Sequence, residues 1–184
     1  MQEALTTQYW RNQKPERVLH SMFFDKNLFM SLVQAPGSIS NAGGAGGRLE
    51  QMLRGSSYDI HTFDAAVMLG LLSVLTRKQR MITLKEIRRA LRQDGLVVIS
   101  ERKRDPQLEA IYKQEAVISG ENGTLPAYSS DGNIEFFVHH FGKTETHTNL
   151  QEAGLTPVIT TENYFISTHS GNIYQGLQVY AKKI

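Results

Sequence analysis

The chain has 184 residues, 40% of them hydrophobic, which suits one globular domain with a full core and leaves no room for a second. Lys and Arg total 20 against 18 Asp and Glu, so no global charge argues for nucleic acid or an anionic membrane as the main partner, and the absence of cysteine excludes disulfides, thiolate metal sites and a cysteine nucleophile. No apolar run reaches the about 20 residues that span a bilayer, and the polar start Met1-Gln2-Glu3 is no signal peptide; a cytoplasmic protein is expected.

In chain order, Val18, Leu19, Met22 and Phe23, then Leu28, Phe29, Leu32 and Val33, lie three and four apart and predict one or two amphipathic helices after Pro15. Pro36-Gly37 forces a turn, and Ser38-Ile39-Ser40 is a short candidate strand. It leads into the glycine-dense stretch 41–47, after which Leu49, Met52 and Leu53 read as a short helix. The run from Phe63 to Leu72, broken only by Asp64 and Gly70, suits a strand buried on both faces. Leu84, Ile87 and Leu91 form the stripe of a helix expected to stop at Gly95. Leu96-Val97-Val98-Ile99-Ser100 follows as a second apolar strand, completing a strand, helix, strand unit.

Beyond it, Glu101-Arg102-Lys103-Arg104 reads as a solvated charged loop, Leu108, Ile111 and Tyr112 as part of a helix, and the Gly-, Asn-, Ser- and Asp-rich interval from Ser119 to Asn133 as a loop. The segment Phe136 to Phe141 leads into a short helix with a glycine stop at Gly154. Thr156 to Phe165 and Tyr174 to Lys182 are expected to close the fold as an antiparallel pair.

A glycine-rich turn opening into a helix is how an α/β protein brings backbone close to a nucleotide-like ligand, because glycine permits the approach and the helix start offers free N–H groups. Three stretches in order make the chain resemble the class I S-adenosylmethionine-dependent methyltransferases. Asn41-Ala42-Gly43-Gly44-Ala45-Gly46-Gly47-Arg48-Leu49 is similar to the family's glycine loop, Phe63 to Leu75 to its fourth strand and the loop after it, and Leu84 to Ser100 to the following helix and fifth strand. Leu150-Gln151-Glu152-Ala153-Gly154-Leu155 before two strands resembles the family's C-terminal end.

The resemblance implies a single methyltransferase-like domain over 1–184, with a helical segment 1–35 and an α/β core 38–184. It also implies an α/β Rossmann-like three-layer sandwich with a mostly parallel sheet. Two departures stand out. Asn41 replaces the acidic residue that opens the family's loop, and Ala45 replaces its middle glycine. Only residues 54–62 occupy the interval where the family has a second strand, a helix and a third strand. Tyr58 to Asp64 could be the second strand, which leaves no fourth; the alternative, preferred on its spacing to Gly95, starts the fourth strand at Phe63. The expectation is a sheet of reduced strand number, about five, with the first strand at or near an exposed edge. Such an edge invites pairing, so a homodimer or a partner chain covering it is expected.

By the same resemblance S-adenosylmethionine is the cofactor, held by Asn41, Gly43, Gly44, Ala45 and Gly47, with Met68, Leu69 and Gly70 lining the adenine side. Tyr9 and Trp10 are candidates for a substrate lid, and His139 and His140 for a catalytic base toward a small-molecule acceptor. The competing reading makes Phe137, His139 and Phe141 one strand face, with both histidines ordinary packing residues. Asp59, His61 and Asp64 share a strand face only in part, and no metal is expected. Three functions follow: an active methyltransferase, a methyltransferase-like scaffold or partner subunit that has lost cofactor binding, and a nicotinamide-dependent oxidoreductase. The third is weakest, because no acidic residue follows the glycine loop at the usual distance.

Overall fold

The computed structural model describes residues 26–33, 37–42, 58–59, 63–166 and 173–184. The helices are α1 (Lys26–Leu32), α2 (Arg77–Ala90), α3 (Glu109–Ser119) and α4 (Lys143–Glu152). The strands are β1 (Gly37–Ala42), β2 (Tyr58–Asp59), β3 (Ala65–Leu69), β4 (Leu96–Arg102), β5 (Thr124–Tyr128), β6 (Ile134–His139), β7 (Thr156–Ile166) and β8 (Ile173–Lys182). Six of them form one sheet in the order β2-β1-β3-β4-β8-β7, and β5 pairs with β6 in a separate hairpin. The first four strands of the large sheet are mutually parallel, while β8 runs antiparallel between β4 and β7.

β3 and β4 are apolar throughout because both their faces are covered. Ala66, Met68, Val97 and Ile99 pack with Leu84 and Leu91 from α2 and its end and with Leu150 of α4. On the opposite face Ala65, Val67, Leu96 and Val98 pack with Phe29, Val33 and Tyr180. The result is the expected three-layer α/β arrangement, with the closing antiparallel pair where the sequence placed it.

The ends of α2 are set by local chemistry. Thr76 Oγ1 accepts from Gln79 N–H at 3.3 Å and Gln79 Oε1 accepts from Thr76 N–H at 2.9 Å, a reciprocal cap. The helix stops at Ala90, short of the expected Gly95, and the left-handed residue of the turn is Asp94 at φ 62°. Gly95 is needed for space, since a Cβ there would lie 2.8 Å from the Arg92 carbonyl oxygen. That close turn lets Arg92 N–H reach Phe63 O and Leu96 N–H reach Asp64 O, which starts β4 in register beside β3.

Two expectations are corrected. The interval Ser119 to Asn133 is not all loop: Thr124 to Tyr128 is a strand, and the Gly-, Asn- and Asp-rich residues gather in the turns on either side of it. Pro126 is tolerated because a two-stranded hairpin leaves one side of each strand unpaired. Likewise Glu101 and Arg102 are not solvated loop but the last two residues of β4, and Glu101 is fully buried.

The choice posed for Tyr58 to Asp64 also resolves differently, giving six strands where about five were expected. Tyr58-Asp59 pairs with Gly37-Ser38 on one side of β1, and Ala65 pairs with Ile39 on the other. β3 thus begins one residue above the level at which the described part of β2 ends. The short β2 is the edge strand and β1 is next to it, near the edge as expected.

Candidate functional site

In an open parallel sheet, the chain leaves adjacent strands in opposite directions at one point, and ligands bind beyond the carboxyl ends there. Here that point lies between β1 and β3, since β2 is on one side of β1 and β4 is on the far side of β3. Ala42, the last residue of β1, pairs with Met68, one residue before the end of β3. Gly70 then takes φ 70°, and its N–H bonds the Ser100 carbonyl at 2.8 Å, turning the chain back over the rim.

The next turn, Leu72–Val74, is a single 3-10 turn held from below by Glu101. The Glu101 carboxyl accepts from Leu72 N–H at 2.8 Å, from Ser73 N–H at 3.2 Å and from Ser73 Oγ at 2.6 Å. Burial pushes its pKa up to about 7, against the lowering effect of those bonds and of Arg80. Glu101 thus clamps the loop after β3 to the end of β4.

Of the predicted cofactor contacts, Asn41 is in β1 beside Val67, one residue before the rim. Met68 is fully buried beneath α2, Leu69 is half-buried on the other face, and Gly70 forms the rim turn. Gly43, Gly44, Ala45 and Gly47, and the lid candidates Tyr9 and Trp10, lie outside the described residues. Both acids that could bind a ribose sit below the rim. Asp59 is level with Ser38, four residues before Ala42, while Asp64 precedes β3 and is paired with Arg92.

The end of β6 runs parallel to the end of β4, with Phe141 N–H donating to Arg102 O and Arg104 N–H to Phe141 O, each at 2.8 Å. Alternation then sends His139 and Phe141 to the α2 side and His140 to the other. Both ring nitrogens of His139 are engaged, Nδ1 with Thr124 Oγ1 and Nε2 with Glu145 Oε1, each at 2.8 Å. Burial works against the Glu145 carboxylate, but the bond and charge of His139, the Gly142 N–H and Arg80 outweigh it and hold its pKa below the ordinary value. Arg80, fully buried, pairs with Glu121 and lies over the Phe141 ring at 5.3 Å.

His140 is different. Its Nδ1 is 2.8 Å from Tyr112 Oη, and that hydroxyl already accepts from Asp105 N–H at 3.2 Å. The phenolic proton is therefore directed to Nδ1, which leaves the ring hydrogen on Nε2. Burial, followed by the charges of Arg102 and His139, lowers the pKa of His140 to about 3, so the ring is neutral. A neutral ring with its hydrogen on Nε2 donates a hydrogen bond there.

Glu121, His139 and Glu145 each offer a possible metal-ligand atom, all within 4.8 Å of one another. Arg80 already supplies Glu121 with a cation, and both His139 nitrogens are used, so the trio is a closed polar network. Sequence reasoning missed Glu101, Arg80, Glu121 and Glu145. Only Glu101 had a local signal, an acid continuing an apolar strand; the others meet across 24 to 65 residues of chain and carry none. Among the described residues, no helix is long and apolar enough to cross a membrane.

No family model matches the chain, and no curated protein sequence does. Solved structures do. A SAM-dependent methyltransferase from Methanosarcina mazei superposes with a TM-score of 0.69 at 18% identity, covering 88% of this chain and 99% of its own. The 1,6-didemethyltoxoflavin-N1-methyltransferase of Burkholderia thailandensis, solved with 1,6-didemethyltoxoflavin and S-adenosylhomocysteine, gives 0.57 at 14%, covering 99% and 86%. A putative sarcosine dimethylglycine methyltransferase from Galdieria sulphuraria gives 0.55 at 10%, covering 99% and 98%. The fold is that of the class I SAM-dependent methyltransferases.

Proposed function

We propose that the protein is an S-adenosylmethionine-dependent methyltransferase acting on a small-molecule acceptor. The observation that carries this reading is the rim between β1 and β3, where Ala42, Met68 and the Gly70 turn form the crevice at which this fold takes its ligand. Asn41 and the glycine loop 43–47 would hold the methionine end of the cofactor, and Leu69 and Gly70 its adenine side. The bound cofactor supplies a methyl group activated on a sulfonium, which asks the protein chiefly for alignment.

The residues present then have distinct work. Glu101 fixes the loop after β3 through its three hydrogen bonds. His139, tied at both nitrogens, positions the end of β6. His140 presents a donor at Nε2, so it orients an acceptor or stabilises negative charge rather than removing a proton.

The scaffold reading has one observation in its favour: Asp59 and Asp64 both lie level with Ser38, well below the rim, so neither is placed as a ribose ligand. Titrating S-adenosylhomocysteine and NADH into the protein by calorimetry separates the readings. The methyltransferase reading expects S-adenosylhomocysteine to bind, at about micromolar strength or, with the ribose carboxylate gone, weaker, and NADH not to bind. Binding of neither would move the protein to the scaffold class.

A further inference from the structure

On the sheet face opposite α2, four strands carry a row of residues at one level: Leu69 beside Ser100, Ser100 beside Gln178, and Gln178 beside Thr161. One step nearer the rim is Arg102, paired across the sheet with Gly176. Gln178 is fully buried. Its Oε1 accepts from Tyr180 Oη at 3.2 Å, and its Nε2 has no partner. Thr161 Oγ1, next to it, has none either. A buried donor left unpaired is costly, a cost a fold retains where a ligand satisfies it.

Arg102 is a cation held by an aromatic ring. Its guanidinium lies over the Tyr174 ring at 4.0 Å and bonds that side chain, and burial lowers its pKa. Yet among the described residues it has no carboxylate partner, whereas Arg80, Arg92, Lys103 and Arg104 each have one. His140 faces this side as well, with its Nε2 hydrogen free. Arg102 and Gln178 thus offer a cation and a donor, with the Asp105 carboxylate on the His140 side.

We propose that Arg102 and Gln178 bind the carboxylate of a small acidic molecule, Arg102 pairing with the anion and Gln178 Nε2 donating to one of its oxygens, and that this molecule is the methyl acceptor. The substrate part rests on the methyltransferase reading; the carboxylate site does not. Tyr174 and Phe165, whose rings lie 5.7 Å apart beside Arg102, make an aromatic acid the natural probe.

The experiment is calorimetric titration of salicylate, and of its neutral amide salicylamide, into the full chain with and without S-adenosylhomocysteine. Salicylate binds and salicylamide does not. Arg102→Gln weakens salicylate by about 10- to 100-fold, the value of a charge-assisted pair, and Arg102→Lys recovers part of the loss. Gln178→Leu removes the unpaired Nε2 together with the acceptor of Tyr180 Oη, so it weakens salicylate while the melting temperature changes little; a purely structural glutamine would lower the melting temperature and leave salicylate affinity unchanged. Equal binding of the amide, unchanged salicylate affinity in Arg102→Gln, or no binding of salicylate overturns the site. S-adenosylhomocysteine titrated into the same samples tests the methyltransferase reading separately, because Arg102 is on β4 and not among the residues assigned to the cofactor, so its variants should leave that affinity unchanged.

Discussion

Glu101 and His140 stand on opposite faces at the end of the same parallel strand system and respond to pH in opposite senses. Glu101 is raised from 4.5 to about 7 in the fold. The native state therefore holds its proton where the unfolded chain has lost it, and the stability it contributes is full below pH 4.5 and lost as pH rises through 7. His140 is lowered from 6.5 to about 3, so its contribution is full above pH 6.5 and lost as pH falls toward 3. Each limb has a slope of up to about 1.4 kcal/mol per pH unit. Between pH 4.5 and 6.5 the two slopes cancel. Urea denaturation across pH should show a shoulder in that window, with His140→Gln flattening the acid side and Glu101→Gln the alkaline side. The second variant also sets an amide N–H₂ against the donors of Leu72 or Ser73, costing about 1–3 kcal/mol at every pH.

At the scale of single elements, the ends of α2 give the sharpest tests. Thr76→Ala removes the reciprocal cap with Gln79 and should lower stability by about 1 kcal/mol. Gly95→Ala should cost more, because the new methyl meets backbone oxygen at 2.8 Å rather than a side chain that can move. Thermal denaturation of the two variants side by side checks the order, and a milder Gly95→Ala would mean that the Arg92 to Asp94 turn gives way easily.

The same elements show what a linear reading can reach. Runs such as Leu96 to Ser100 announce a strand because burial on both faces demands continuous apolar residues. The closing pair was legible from its alternation and the turn between. The strand Thr124 to Tyr128 was hidden by its setting: Pro126 and polar neighbours mask a hairpin that leans on the domain rather than running through it. Gly95 was legible as a stop but for the wrong reason, since it answers to a carbonyl of the preceding turn. His139 and His140 were found as a pair, yet their different tasks depend on Thr124, Glu145, Tyr112 and Asp105, and no spacing rule links these.

For the whole molecule, the Arg80–Glu121 pair joins α2 to the turn before β5, and the adjoining Thr124, His139 and Glu145 extend that tie to β6 and α4. Removing one partner of a buried pair leaves the other uncompensated, so Glu121→Gln should destabilise the fold by about 3–5 kcal/mol, measured by chemical denaturation. Arg80→Met with Glu121→Leu should recover much of that loss. The edge arrangement bears on assembly, for β7 is an outer strand with Val158 and Tyr164 exposed. Sedimentation over a range of concentrations tests the homodimer; monomeric behaviour throughout would remove it.

The near-equal heights of Asp59 and Ala65 have a practical corollary. Because the described part of β2 ends near the base of the sheet and β3 begins there, chain length can be spliced in between them without disturbing strands already in place. A transplanted strand that climbs alongside β1 and finishes in an aspartate, followed by a helix and a returning strand, would set a carboxylate at the height of Ala42. Tighter capture of S-adenosylhomocysteine by such a chimera would measure what that carboxylate adds.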